Sequence, residues 1–152
     1  NGQTNRSQKT YSVKIPAGTK DSARIRLGGQ GGPGAAGGQP GDLYLRVNVA
    51  PHPKFRISDN DLETDLPVTP WEAALGADVD VHTLDGRATI SIPPGTQGGQ
   101  RIRLRGKGLP SRNGTPAGDL YALVKVAIPK RLSARERKLF EQLAKASTFK
   151  PR

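Results

Sequence analysis

The residues able to do chemistry in this chain are few, and each can be held against the geometry its chemistry requires. His52 and His82 are the only imidazoles and cysteine is absent. A metal site or a catalytic triad needs partners that converge on such a ring, and nothing in the spacing supplies them. His52 stands between Pro51 and Pro53 and reads as a turn residue. Asp59-Asn-Asp61 has the opening of a calcium loop but lacks the required glycine and the distal glutamate, so it reads as a solvated turn. Gly29-Gln-Gly-Gly-Pro-Gly34 satisfies G-x-G-x-x-G after an apolar run. A dinucleotide pyrophosphate would need a helix N-terminus directly behind those glycines, whereas here another Gly-Pro-Gly loop follows. Gly106-Lys-Gly lacks both the upstream spacing and the Ser or Thr of a phosphate-binding loop. No enzyme activity, cofactor or metal is expected, and binding is the chemistry that remains.

The elements that would position a binding surface are written twice. Ile15-Pro-Ala-Gly-Thr, Arg24-Ile-Arg-Leu and Gly41-Asp-Leu-Tyr recur without a gap as Ile92-Pro-Pro-Gly-Thr, Arg101-Ile-Arg-Leu and Gly118-Asp-Leu-Tyr, an offset of 77. The repeat predicts two small modules, residues 1–56 and 57–130, followed by a distinct C-terminal segment, 131–152. The strands between Ile57 and Leu84 have no earlier counterpart, so the first module is expected to have lost its opening strands.

Alternation of apolar and polar residues marks half-buried strands at Tyr11 to Ile15, Ala23 to Leu27 and Asp42 to Val49 in the first module. In the second it marks Leu62 to Leu66, Val79 to Val81, Ala88 to Ile92, Arg101 to Leu104 and Leu120 to Ile128. Asp85-Gly86 between two such runs is a strong hairpin signal and predicts a type I′ turn. Pro70 and Gly76 bracket a short helix around Trp71. Residues 1–8 are polar and aperiodic, which reads as a loop. With 19 Gly and 13 Pro in 152 residues, the fold class is all-β: two tandem β-sandwich-like domains plus a C-terminal helix.

That helix opens at Ser133-Ala-Arg-Glu136, which has capping-box spacing, and sets Leu139, Phe140 and Leu143 on one face. A helix so short needs a surface to lie on, and a second chain could provide it. The net charge of +11 is enough to attract a polyanion, although spread positive charge is first of all a solvated surface. No apolar run approaches the length that spans a bilayer, so no membrane partner is expected. Strand edges are the other opening for a partner, because an extended peptide can add to unpaired amides and carbonyls beside apolar side chains.

Taken in order, Val13-Lys-Ile-Pro-Ala-Gly-Thr19, the Gly-rich loop, Gly41-Asp-Leu-Tyr-Leu45, Pro51-His-Pro-Lys-Phe55, Trp71-Glu-Ala-Ala-Leu-Gly76, Thr83-Leu-Asp-Gly86 and Arg105-Gly-Lys-Gly108 resemble the C-terminal half of a DnaJ (Hsp40) co-chaperone. The absence of a cysteine-rich zinc module is similar to the bacterial subfamily of curved-DNA-binding proteins. The resemblance implies two β domains that hold unfolded polypeptide and a C-terminal helix that joins two protomers. It implies that Phe55 lines an apolar peptide pocket, with Tyr11 and Val13 on a strand beside it, and that Leu139, Phe140 and Leu143 form the homodimer interface. His52-Pro53-Lys54 is not the His-Pro-Asp signature of a J domain, so this stretch is not expected to stimulate an Hsp70 ATPase. The leading expectation is a non-catalytic region that captures unfolded or extended polypeptide clients for an Hsp70 in the cytoplasm. The alternative is a basic architectural module that binds DNA, which would place it on the nucleoid.

Overall fold

The computed structural model describes residues 8–34, 37–111 and 114–152. Among the described residues eight strands and two helices follow one another: β1 (Arg24–Leu27), β2 (Leu43–Arg46), β3 (Phe55–Ser58), β4 (Asp61–Val68), α1 (Pro70–Leu75), β5 (Ala77–Thr83), β6 (Gly86–Ile92), β7 (Arg101–Leu104), β8 (Leu120–Val126) and α2 (Ala134–Ala146). The chain is thus mostly strand with a short C-terminal helix, as its alternation predicts. The strands form three sheets: β1-β2, a four-stranded sheet in the order β3-β4-β8-β7, and β5-β6.

The second copy is a two-layer sandwich. Leu66 and Val68 of β4 with Ala122 and Val124 of β8 face Val81 of β5 and Ile92 of β6, and Ala73 of α1 closes one end. Every one of these side chains is buried because inward positions alternate with solvent-facing ones along each strand. The central pairing, β4 with β8, is parallel, and every other strand pair is antiparallel. A parallel neighbour cannot be reached by a tight turn, so the 120–126 strand is brought to β4 only after β5, β6 and β7 have been laid down.

Local signals account for the ends of elements. Thr69 caps α1, its hydroxyl accepting from the Glu72 amide while the Glu72 carboxylate accepts from the Thr69 amide at 2.7 Å. Ser133 and Glu136 make the same reciprocal pair at the start of α2, with Ser133 N–H donating to Glu136 Oε2 at 2.7 Å. The β5–β6 hairpin forms as predicted, but Thr83 pairs with Gly86, and the positive φ falls on Gly86 alone (127°). The turn is therefore Leu84-Asp85, closed by the glycine, and the type I′ turn with two left-handed residues is not used.

The Tyr11 to Ile15 strand is a second correction. Residues 8–15 carry no strand, and no backbone hydrogen bond joins them to another described residue. Alternation provides a face that could be buried, whereas a strand also needs a neighbour to hydrogen-bond with. Residues 1–7, read as a loop, lie outside the described residues. β3, for its part, spans the boundary at 56/57 and pairs through its whole length with β4, Phe55 opposite Thr64 and Ser58 opposite Asp61. Asp59, at φ 55°, makes the turn between them.

Candidate functional site

Phe55 lines an open cavity beside a small buried apolar cluster. Its ring is 8% exposed and packs with Leu62 and Leu120, with Leu104 and Leu109 against it. The residues just before it are held firmly. Lys54 N–H donates to His52 Nδ1 at 3.1 Å, which requires a lone pair on that nitrogen. Thr64 donates its hydroxyl to the Lys54 carbonyl at 2.9 Å. The His52 ring lies 5.0 Å from the Phe55 ring at a 34° tilt. His52 is thus a turn residue with an aromatic neighbour, and Lys54 Nζ reaches His82 Nε2 at 3.4 Å on the other side.

The cavity itself has a volume of about 610 Å³ and is open to solvent. Its walls come from both copies: the turn at 18–21 and the segment at 49–52 from the first, Leu109 from the second, and β3, which spans the boundary between them. Val49, Pro51, Phe55, Ile57 and Leu109 supply the apolar surface. Val49 and Ile57 are exposed, 39% and 50%, so the wall is available to a partner. Asp21 locks the first-copy side, its Oδ1 accepting from Val49 N–H at 2.8 Å. That backbone hydrogen bond holds the Asp21 carboxyl below its ordinary value, with the Ser22 hydroxyl assisting.

Of the residues expected to bind peptide, Phe55 lines this cavity and Tyr11 and Val13 do not. Tyr11 is exposed and Val13 half-buried, on the segment that forms no strand. Val49, Ile57 and Leu109 escaped the sequence reading. Phe55-x-Ile57 alternation was the available signal for Ile57; nothing local points to Leu109, which arrives from the other end of the second copy.

Leu139, Phe140 and Leu143 do come together. With Trp71 of α1 and Glu136 they line a second, mostly apolar cavity of about 330 Å³. Phe140 is half-buried, but Leu139 and Leu143 remain 56% and 62% exposed and α2 has no buried residue. The face therefore shares this cavity with Trp71 of its own module while leaving apolar surface uncovered.

Charge is distributed unevenly. On the sheets, most cations are paired: Arg26 with Asp42 at 2.6 Å, Arg56 and Arg101 with Glu63 at 2.9 Å each, Arg103 with Asp119, and Lys125 with Asp65, while Arg24, Arg46 and Arg87 make no ion pair among the described residues. The Arg56 guanidinium, followed by the Lys125 ammonium, holds the Asp65 carboxyl below its ordinary value. By contrast, Lys130, Arg131, Arg135, Arg137, Lys138, Lys145, Lys150 and Arg152 make no ion pair among the described residues.

Residues 2–129 match the model of the DnaJ C terminal domain. The chain belongs to the DnaJ C-terminal domain family. It is also 54% identical over 145 residues to proteins named Curved DNA-binding protein from Salmonella paratyphi B, Salmonella newport and Salmonella enteritidis. That alignment covers 95% of this chain and 47% of each relative, so the chain spans about half the length of the curated relatives it matches. In this DnaJ C-terminal domain the Phe55 cavity and the α2 face both leave apolar surface open. No described helix is long and apolar enough to cross a membrane.

Proposed function

We propose that this DnaJ C-terminal domain is a non-catalytic polypeptide-binding and dimerisation region of an Hsp40 co-chaperone, which captures unfolded clients and presents them to an Hsp70. The observation that carries the reading is the open cavity around Phe55, where exposed Val49 and Ile57 stand beside buried aromatic surface. An extended apolar segment would bury its side chains there, and weak, quickly reversed binding is all that capture and release require. Leu139, Phe140 and Leu143 of α2 are assigned to the homodimer interface, which would give a two-armed clamp. Residues 1–56 and 57–130 are the two β domains in this reading, and the cytoplasm is the location. Delivery to Hsp70 belongs to the longer protein.

The test is anisotropy of a fluorescent, extended apolar peptide against the chain and its Val49→Ser/Ile57→Ser variant, with circular dichroism on both. The expected result is at least tenfold weaker binding with the fold retained, and little change with salt. Unaltered affinity would remove the cavity as the client site.

A second reading is favoured by one specific observation: the eight cations from Lys130 to Arg152 that make no ion pair among the described residues, in a chain similar to proteins named for curved DNA. In that reading the region binds DNA, with affinity that falls steeply as salt rises.

A further inference from the structure

We propose that the outward face of α2 is a docking stripe for the phosphate backbone of duplex DNA. The inference rests on the DNA-binding reading and assigns it a surface. With 3.6 residues per turn, Leu139, Phe140 and Leu143 cluster on one side of α2, and Arg137, Lys138 and Lys145 fall on the opposite side. Arg135 lies at the margin between them. The apolar side is the one that meets Trp71. The basic side consequently remains in solvent whether α2 lies on its own module or against a second copy.

Two features separate this stripe from ordinary surface charge. First, five cations on the β sheets, Arg26, Arg56, Arg101, Arg103 and Lys125, have carboxylate partners that would have to be given up before a phosphate could be bound, and Arg24, Arg46 and Arg87 stand singly on three different strands, whereas the cations of α2 and its flanks follow one another along one segment with no ion pair among the described residues. Second, the carboxylates that could oppose them are few. Glu136 is turned to the Ser133 amide and to the Trp71 cavity. Only Glu141 stands within the basic face. Thirteen helical residues at 1.5 Å rise make a stripe about 20 Å long, with Lys130 and Arg131 extending it before the helix and Lys150 and Arg152 after it. Duplex DNA presents a phosphate charge for roughly each 1.7 Å of axis, so several contacts fit along that length. No base-reading element is implied; contacts of this kind position a protein without reading sequence.

The test compares three forms of the chain on a fluorescently labelled duplex across a salt series: wild type, Arg137→Gln/Lys138→Gln/Lys145→Gln, and a control, Lys9→Gln/Lys14→Gln/Arg87→Gln, that removes the same charge from exposed positions outside α2 that make no ion pair among the described residues. Gln preserves helix propensity, and light scattering checks that the mass is unchanged. The α2 variant is expected to bind about tenfold or more weakly at low salt, with a salt slope shallower by about one for each cation removed. The control should change much less. Glu141→Lys, which adds a cation to the same face, should bind more tightly with a steeper slope. Equal losses in the two triple variants, or no response to Glu141→Lys, would overturn the stripe while leaving DNA binding intact. A wild-type chain that ignores the duplex would overturn the DNA reading and the stripe with it.

Discussion

β1 with β2 and β7 with β8 are built on the same hydrogen bonds. Ser22 N–H and Gly99 N–H donate to Val47 and Val124 carbonyls, each at 2.8 Å, and Gly31 and Gly108 amides donate to Gly41 and Gly118 carbonyls at 2.7 and 2.8 Å. β1 and β7 even share one burial pattern, outward arginines alternating with half-buried aliphatics. The partners differ: Leu43 and Leu45 of β2 are half-buried, while Leu120, Ala122 and Val124 of β8 are fully buried. β8 has β4 along its other edge and β5-β6 across its face; among the described residues β2 has neither. Local sequence thus suffices to shape the ribbon, and the core comes from what is packed on it.

Truncating the matched leucines is the largest break of that equivalence. Leu120→Ala should cost about 2–5 kcal/mol in denaturant unfolding because it empties a site that is closed on all sides. Leu43→Ala should cost about 1 kcal/mol or less, since that side chain is already half in water. Equal costs would mean that the first copy is buried as deeply as the second.

The matched glycines make a sharper version. A Cβ on Gly118 would overlap the Asn60 carbonyl, which crosses directly above it, whereas the nearest atom to a Cβ on Gly41 is Gly32 O at 3.9 Å. Gly118→Ala is expected to destabilise by about 1–3 kcal/mol through overpacking. Gly41→Ala should be neutral or slightly stabilising by reducing the freedom of the unfolded chain. A penalty at Gly41 as large as at Gly118 would show that a segment lies over β2 as β4 lies over β8.

A smaller effect is expected where the two copies use different residues for one conformation. Gly99 takes φ 86°, and its counterpart Ser22 takes φ 62°. A left-handed backbone costs a residue with a side chain about 1–2 kcal/mol. No atom lies within 4 Å of a Cβ at Gly99, so Gly99→Ala should lose about 1 kcal/mol from backbone strain alone. Ser22→Gly should recover less than that, because it also surrenders the Ser22 hydroxyl's contacts with Asp21 and Arg46. Paired thermal melts of the two variants measure the difference.

These pairs also mark how far the sequence could be read. The repeat, the capping box at Ser133, the short helix bracketed by Pro70 and Gly76, and the β5–β6 hairpin are properties of contiguous residues, and each appears in the fold. Tyr11 to Ile15 had the right alternation and formed no strand, because pairing depends on a neighbour that local sequence does not describe. The parallel β4–β8 contact joins Leu62 to Leu120 across more than a third of the chain. For the same reason Phe55 was named through the resemblance alone, and the cavity it lines was not legible: its walls at Val49 and Leu109 meet only after both copies have folded. Trp71 was recognised as part of a short helix, and its meeting with Phe140 depends on where α2 is laid down.

The smallest effect is one in which the two copies should behave alike. Asp42 Oδ1 accepts from Gly29 N–H at 2.9 Å, and Asp119 Oδ1 from Gly106 N–H at 2.8 Å. Each carboxylate also receives an arginine, Arg26 at 2.6 Å or Arg103 at 2.7 Å. The amide hydrogen bond first, and the arginine after it, lower both carboxyls below the ordinary 3.8. A carboxyl depressed on folding adds stability that is fully present above its unfolded value and is lost as pH falls through its folded value. The Gly29 and Gly106 amides should therefore move together in an NMR titration, both shifting as pH drops below about 4, and Asp42→Asn or Asp119→Asn should remove the response of its own loop only. Since both loops face water, this response should ignore the difference in burial behind β2 and β8. If Gly106 held its hydrogen bond to markedly lower pH than Gly29, the core beneath β8 would be stiffening the loop above it, and the ribbon would no longer be independent of what packs on it.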